Sequence, residues 1–186
     1  MEIGRPSALI VIDVQRGFDD PTFGERNNRA CEANVGRLIE AYRRASQAVV
    51  FVRHDSVEAG SPLAPGSPGN SFKEVVSGDP DLLIRKRVHS AFYGQPDLDA
   101  WLQKRGIRSL TICGITTDHC CDTTARMAGD LGYHTLFALD ATHTFDRRVG
   151  ALQMVPADQV SFVAAASLHD EFATVVTTEQ VVQGLL

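Results

Sequence analysis

The chain has 186 residues, 44% of them hydrophobic and 22% charged, which suits one globular domain with a full core. A formal net charge of -5, with no basic run longer than Arg85-Lys86-Arg87, argues against a nucleic-acid partner, and no apolar run approaches membrane-spanning length. Ala8–Ile12 meets Asp13 too soon for a secretory signal, and four cysteines, two of them adjacent, do not make a disulfide framework, so the expected setting is the cytoplasm and the expected partner a small molecule.

Ala8 to Val14 is a near-continuous apolar run of the kind a parallel strand buried on both faces carries, with Asp13 inside its C-terminal end. A buried carboxylate is costly unless paired, so Asp13 either caps a neighbouring loop or is a catalytic acid or base. Gln15 to Asn28 is a loop in which Phe18 and Phe23 either cover a pocket or pack locally. Cys31, Val35, Leu38, Ile39 and Tyr42 mark one face of a helix ending near Ser46, and Ala48 to Val52 is a second buried strand, with His54 just past its end. Ser56 to Asp79 is rich in Gly, Pro, Ser and Asn and reads as a long loop, a lid or a subunit contact. Leu82 to Lys86 is a third, weakly marked strand that delivers Lys86 to its C-terminal end. His89 to Gly94 is loop, and Asp97 to Arg105 is a helix stopped by Gly106.

Ser109 to Cys113 is a fourth strand, and Cys120 to Leu131 carries Thr124, Met127, Ala128 and Leu131 at helical spacing. His134 to Leu139 is a strand followed by a loop at 140–145. A helix at 158–172, a strand at 173–177 and a helix at 179–186 complete the chain. Strands alternating with helices predict a three-layer α-β-α domain with a parallel sheet of about six strands. In such sheets ligands bind beyond the carboxyl ends of the strands, which brings Asp13, His54, Lys86 and Cys120 toward one crevice.

Cys120 falls where the fourth strand gives way to a helix. Unpaired N–H groups at a helix start favour a thiolate and hold a developing oxyanion, so a lowered thiol pKa is expected there. Cys31, Cys113 and Cys121 read as small core hydrophobes. A cysteine attacking an amide needs a proton carrier and a positive group, which Asp13 and Lys86 are placed to supply, although a strand-end salt bridge explains that pair as well. Cys120 and Arg126 also have the Cys-x5-Arg spacing of cysteine phosphatases, but the loop between them lacks glycine and Asp122 would repel a dianion. A redox-sensing Cys120-Cys121 pair is a further, non-enzymatic reading. No Gly-x-Gly-x-x-Gly follows any strand, so a dinucleotide site is not expected.

Four segments in order resemble the isochorismatase-like cysteine hydrolases, whose relatives include nicotinamidases and N-carbamoylsarcosine amidases. They are Leu9-Ile-Val-Ile-Asp-Val-Gln15, Lys86-Arg-Val-His-Ser-Ala-Phe92, Gly114-Ile-Thr-Thr-Asp-His-Cys120 with Thr124-Ala125, and Gly132-Tyr133 leading to Asp140-Ala-Thr142. The resemblance implies a triad of Asp13, Lys86 and Cys120, a cis peptide joining Ile115 to Thr116, and an oxyanion hole from the N–H groups of Thr116 and Cys120. It also implies a homodimer or homotetramer. The nicotinamidase branch binds a metal through an Asp-x-His pair after the second strand, but here Val52 stands where the Asp would be, so neither a metal nor another cofactor is expected. Retention of Cys120 favours C–N hydrolysis over the vinyl ether hydrolysis of the isochorismatases themselves, which is the alternative. Phe18, His54, Phe92, Tyr93, Thr117 and His119 are candidate substrate contacts because they lie in loops beside the triad.

Overall fold

The computed structural model describes residues 3–151 and 153–185. In chain order the elements are β1 (Ser7–Ile12), α1 (Cys31–Arg44), β2 (Ala48–His54), β3 (Leu82–Lys86), α2 (Leu98–Lys104), β4 (Ser109–Ile115), α3 (Asp122–Asp130) and β5 (His134–His143). They are followed by β6 (Arg147–Val149), β7 (Gln153–Val155), α4 (Ala157–Leu168), β8 (Thr174–Val176) and α5 (Thr178–Gly184). Six strands form one parallel sheet in the order β3-β2-β1-β4-β5-β8, and β6 and β7 pair as a separate antiparallel ribbon.

Alternation along the strands builds two cores. Leu9 and Val11 of β1, with Val49 and Phe51 of β2, face α1 and α5 and pack with Val35, Leu38, Tyr42 and Val181. Ala8, Ile10 and Ile12 face the other way, onto Leu98 and Leu102 of α2, Ala125 and Ala128 of α3, and Leu168 of α4. Residues 9–12 of β1 are fully enclosed, and each such aliphatic side chain contributes about 1.5–3 kcal/mol from burial. That is why β1 reads as continuous rather than alternating hydrophobicity.

Strand order reverses at β1, since β2 and β3 extend the sheet to one side while β4, β5 and β8 extend it to the other. The carboxyl ends of β1 and β4 therefore flank the crevice where ligands bind in open α/β sheets. The two ends approach closely. Gly114 has φ +127°, and a side-chain carbon there would lie 2.0 Å from the Ile12 carbonyl oxygen, so only glycine fits.

The differences from the sequence reading lie at element ends. β1 stops at Ile12 and Asp13 turns out of it with φ 51°. β2 runs on to His54, and β5 continues through Asp140 to His143. The β5 extension is the segment expected as loop, and it is held by pairing of Gly114 with Thr142 and of Ile115 with His143 across a register shift. The β6–β7 ribbon, unmarked in the sequence, has three residues per strand. α4 ends at Leu168 rather than residue 172. Of the expected terminal helix, Leu186 lies outside the described residues.

Candidate active site

Asp13 leaves the end of β1, Lys86 ends β3, and Cys120 sits in a π-helical turn, Thr117–Cys121, that joins β4 to α3. Lys86 is two strands from Asp13, with His54 of β2 as its register partner between them. Its long side chain spans that gap. The Lys86 Nζ lies 2.6 Å from Asp13 Oδ2, 3.3 Å from Cys120 Sγ and 3.4 Å from His54 Nδ1. Relative exposures of 0% for Asp13, 1% for Lys86 and 6% for Cys120 make these three a buried cluster in which Cys120 keeps the most exposure.

Three sheet-end features hold it in place. The Gln15 side chain accepts from the His54 N–H at 2.9 Å and donates to the His54 and Asn70 carbonyls at 3.0 Å each, tying the loop after β1 to the end of β2. Asn70 donates to the carbonyls of His54 and Leu63 and to the Asp55 carboxylate, which fastens the 56–79 loop over the strand ends. The peptide joining Ile115 to Thr116 is cis, and the Thr116 carbonyl accepts the N–H of His119 at 3.3 Å and of Cys121 at 3.2 Å, on either side of Cys120.

Electrostatics of the cluster run against one sequence expectation. Burial pushes the Cys120 thiol up, the Asp13 carboxylate adds to this, and Lys86 opposes it without cancelling it. The balance favours the thiol over the thiolate. A helix terminus contributes about 0.3–1 kcal/mol at ordinary sites, whereas burial shifts an ionisable group by up to 3–5 pKa units, so desolvation wins. Burial alone would lower the Lys86 ammonium, but Asp13 and Cys120 outweigh it and hold it above the usual lysine value. His54 is pushed down by burial and then by Lys86. As a neutral ring it accepts from Lys86 at Nδ1.

The sulfur opens into a cavity of about 300 Å³ lined by Phe18, Phe23, His54, His89, His119 and Arg147, together with Ser56, Glu58, Ser61 and Leu63 from the long loop. Of the candidate substrate contacts, Phe18, His54 and His119 face it. Phe92 instead packs on Tyr133 in the core under α2, α3 and α4. Tyr93 points to solvent at 69% exposure, and Thr117 is fully buried with its hydroxyl on Thr142 at 2.8 Å. Proximity in sequence to Asp13, Lys86 and Cys120 does not determine which way a side chain leaves a turn.

His89 and Arg147 were missed. His89 Nδ1 lies 3.5 Å from Cys120 Sγ, and the only sequence hint was its place three residues after Lys86. Arg147 comes from the unpredicted ribbon and is held in a fork by Asp118, at 2.7 and 3.0 Å. Burial would raise the Asp118 carboxyl, but hydrogen bonds from Arg147 and Thr144 hold it at about 2.

Residues 7–180 match the family model described as the isochorismatase domain. The chain belongs to the isochorismatase family. It is 38% identical to an uncharacterized isochorismatase family protein of Bacillus subtilis over 180 residues, 96% of each chain. It is 31% identical to nicotinamidase 3 of Arabidopsis thaliana over 157 residues, 77% of this chain and 76% of that one. A crystal structure of an isochorismatase-family protein from Chromobacterium violaceum superposes with a TM-score of 0.93 at 32% identity, over 100% of this chain and 96% of that one.

Within that family the nicotinamidase metal set does not fit this chain. Val52 is fully enclosed in the core under α2, α3 and α4, and Asp55 is occupied by Arg53 and Asn70. Asp13, His54 and Cys120 do place ligand atoms within 4.8 Å of one another. The Lys86 ammonium, within 3.4 Å of all three, already takes the cation position among them. The phosphatase spacing also fails in three dimensions, because Arg126 is bonded to Asp122 at 2.7 Å and lies over the Phe172 ring, away from Cys120. Among the described residues no helix is long and apolar enough to cross a membrane.

Proposed function

We propose that this protein is a metal-independent cysteine hydrolase acting on a small amide, ureide or related C–N bond through a thioester on Cys120. The observation that carries the reading is the enclosed Lys86 ammonium, 2.6 Å from the Asp13 carboxylate and 3.3 Å from a sulfur that opens onto the cavity. The thiol proton moves to Asp13 as Sγ attacks the carbonyl carbon. Lys86 stabilises the carboxylate before that transfer and the sulfur's developing charge during it. The N–H groups of Thr116 and Cys120 receive the oxyanion. Collapse breaks the C–N bond, Asp13 passes the proton to the leaving amine, and water then hydrolyses the thioester.

Phe18 and Phe23 form the apolar wall for the substrate, and His54 and His119 line the side that would meet its polar part. A homodimer or homotetramer would cover Phe162 and Val163, which α4 leaves exposed; sedimentation velocity measures this directly. The function is tested by ammonia release from a panel of small amides and ureides, with and without a chelator. Turnover insensitive to chelation and reduced at least about 10³-fold in Cys120→Ala is expected. Vinyl ether hydrolysis without ammonia release, indifferent to Cys120→Ala, would replace the amide reading with the acid-catalysed one.

A further inference from the structure

Two sides of the Cys120 sulfur differ. Asp13 and Lys86 are enclosed on its protein side, whereas His89 stands on the cavity side, exposed and with Nδ1 3.5 Å from Sγ. We propose that His89 is a catalytic residue of the second half-reaction, the base that activates water against the Cys120 thioester. This rests on the thioester reading above.

After the amine has left with its proton, the acyl group on the sulfur lies between Asp13 and the cavity, and Asp13 and Lys86 form no part of the cavity wall. Incoming water must arrive from the cavity. A base has to be within one hydrogen bond of that water, and His89 Nδ1, already at the sulfur, is in reach. The other two cavity histidines are engaged differently: His54 Nδ1 accepts from Lys86, and His119 Nε2 lies 3.4 Å from Asp118 Oδ2. The groups facing His89 are Cys120 and His119 of the π-helical turn, His54 of β2, Asp13 and Lys86 behind the sulfur, and Glu58 and Arg147 across the cavity. In the step, a water O–H proton goes to Nδ1 as the C–O bond forms. The C–S bond then breaks and the proton returns to the sulfur, leaving a neutral thiol, a neutral imidazole and the product carboxylic acid.

p-Nitrophenyl acetate separates the half-reactions without knowledge of the substrate, since its leaving group needs no proton. Wild type should give a burst of nitrophenolate with an acetyl adduct on Cys120, then steady turnover. His89→Gln should keep the burst, accumulate the adduct and lose about 10²-fold or more in turnover. The ionisation that governs wild-type deacylation should vanish in it, and added imidazole should accelerate His89→Ala by a larger factor than wild type. An unchanged deacylation rate and pH profile in His89→Gln, or a burst slowed as much as turnover, would overturn the proposal while leaving Cys120 as nucleophile. A burst that survives Cys120→Ala would instead remove the thioester reading itself.

Discussion

Replacing Lys86 with methionine isolates the charge at the centre of the site. The methionine fills most of the space of the lysine stem, so little cavity is added and the loss is electrostatic. It leaves the Asp13 carboxylate, fully enclosed and bonded to Lys86 at 2.6 Å, without its cation. Removing one partner of a buried pair costs about 3–5 kcal/mol. With a urea slope of roughly 1–3 kcal/mol per molar, the unfolding midpoint should drop by roughly 1–5 M. At about 2–4 °C per kcal/mol, the thermal midpoint should fall by roughly 6–20 °C. Asp13→Asn combined with Lys86→Met should be less destabilised than the sum of the single changes by more than about 1 kcal/mol, because the pair is one unit. The sign with pH follows from Lys86 being raised in the folded state. Its stabilisation is complete below the unfolded lysine value of about 10.4 and is lost as pH rises through the higher folded value. Wild type should therefore lose more stability than Lys86→Met in that alkaline window. A single variant within about 0.5 kcal/mol of wild type, or an additive double variant, would refute the reasoning.

Iodoacetamide labelling of Cys120 should slow in Lys86→Met, which removes the cation that opposes the raised thiol; unchanged or faster labelling by peptide mass spectrometry would contradict the charge assignment. Asn70→Ala should cost about 1–3 kcal/mol in urea unfolding, because it removes the Asn70 hydrogen bonds to His54, Asp55 and Leu63, although each of those acceptors keeps one other donor. Gly114→Ala should be more damaging than its size suggests, since the added carbon would sit 2.0 Å from a backbone oxygen; soluble protein of wild-type stability would refute that. The Glu32 and Asp118 carboxyls are held at about 2 by Arg26, Lys73, Arg147 and Thr144 against burial that raises them. Their stabilisation is present above the unfolded carboxylate values and lost as pH falls toward 2, so Glu32→Gln and Asp118→Asn should flatten acid unfolding followed by circular dichroism.

Much of this architecture was legible because the sheet is buried on both faces. Residues 8–12, 48–52 and 109–113 are apolar runs that only interior parallel strands tolerate, and the rule that sites lie at strand carboxyl ends places Asp13, Lys86 and Cys120 together without any contact being known. The misses have physical causes. Asp140 to His143 looks like loop because it carries polar residues, yet Thr142 and His143 are paired to Gly114 and Ile115 across a bulge that single-sequence periodicity does not register. The β6–β7 ribbon is too short to show a period, and so Arg147 was not expected at the cavity. Phe92, Tyr93 and Thr117 were placed by sequence proximity, but a tight turn sends neighbouring side chains in different directions. The lowered thiol expected for Cys120 rested on its helix-start position and on the Lys86 charge; the burial that pushes the other way is a property of the folded site and not of the local sequence.

The central claim is that Cys120 forms a covalent acyl intermediate. The most direct test is rapid quenching of wild type with the best-hydrolysed amide of the panel, followed by peptide mass spectrometry. The expected result is the acyl group, without its amine, on the peptide containing Cys120, released by hydroxylamine and absent from Cys120→Ala. Full ammonia release by Cys120→Ala, or an acyl adduct on any other residue, would contradict the account.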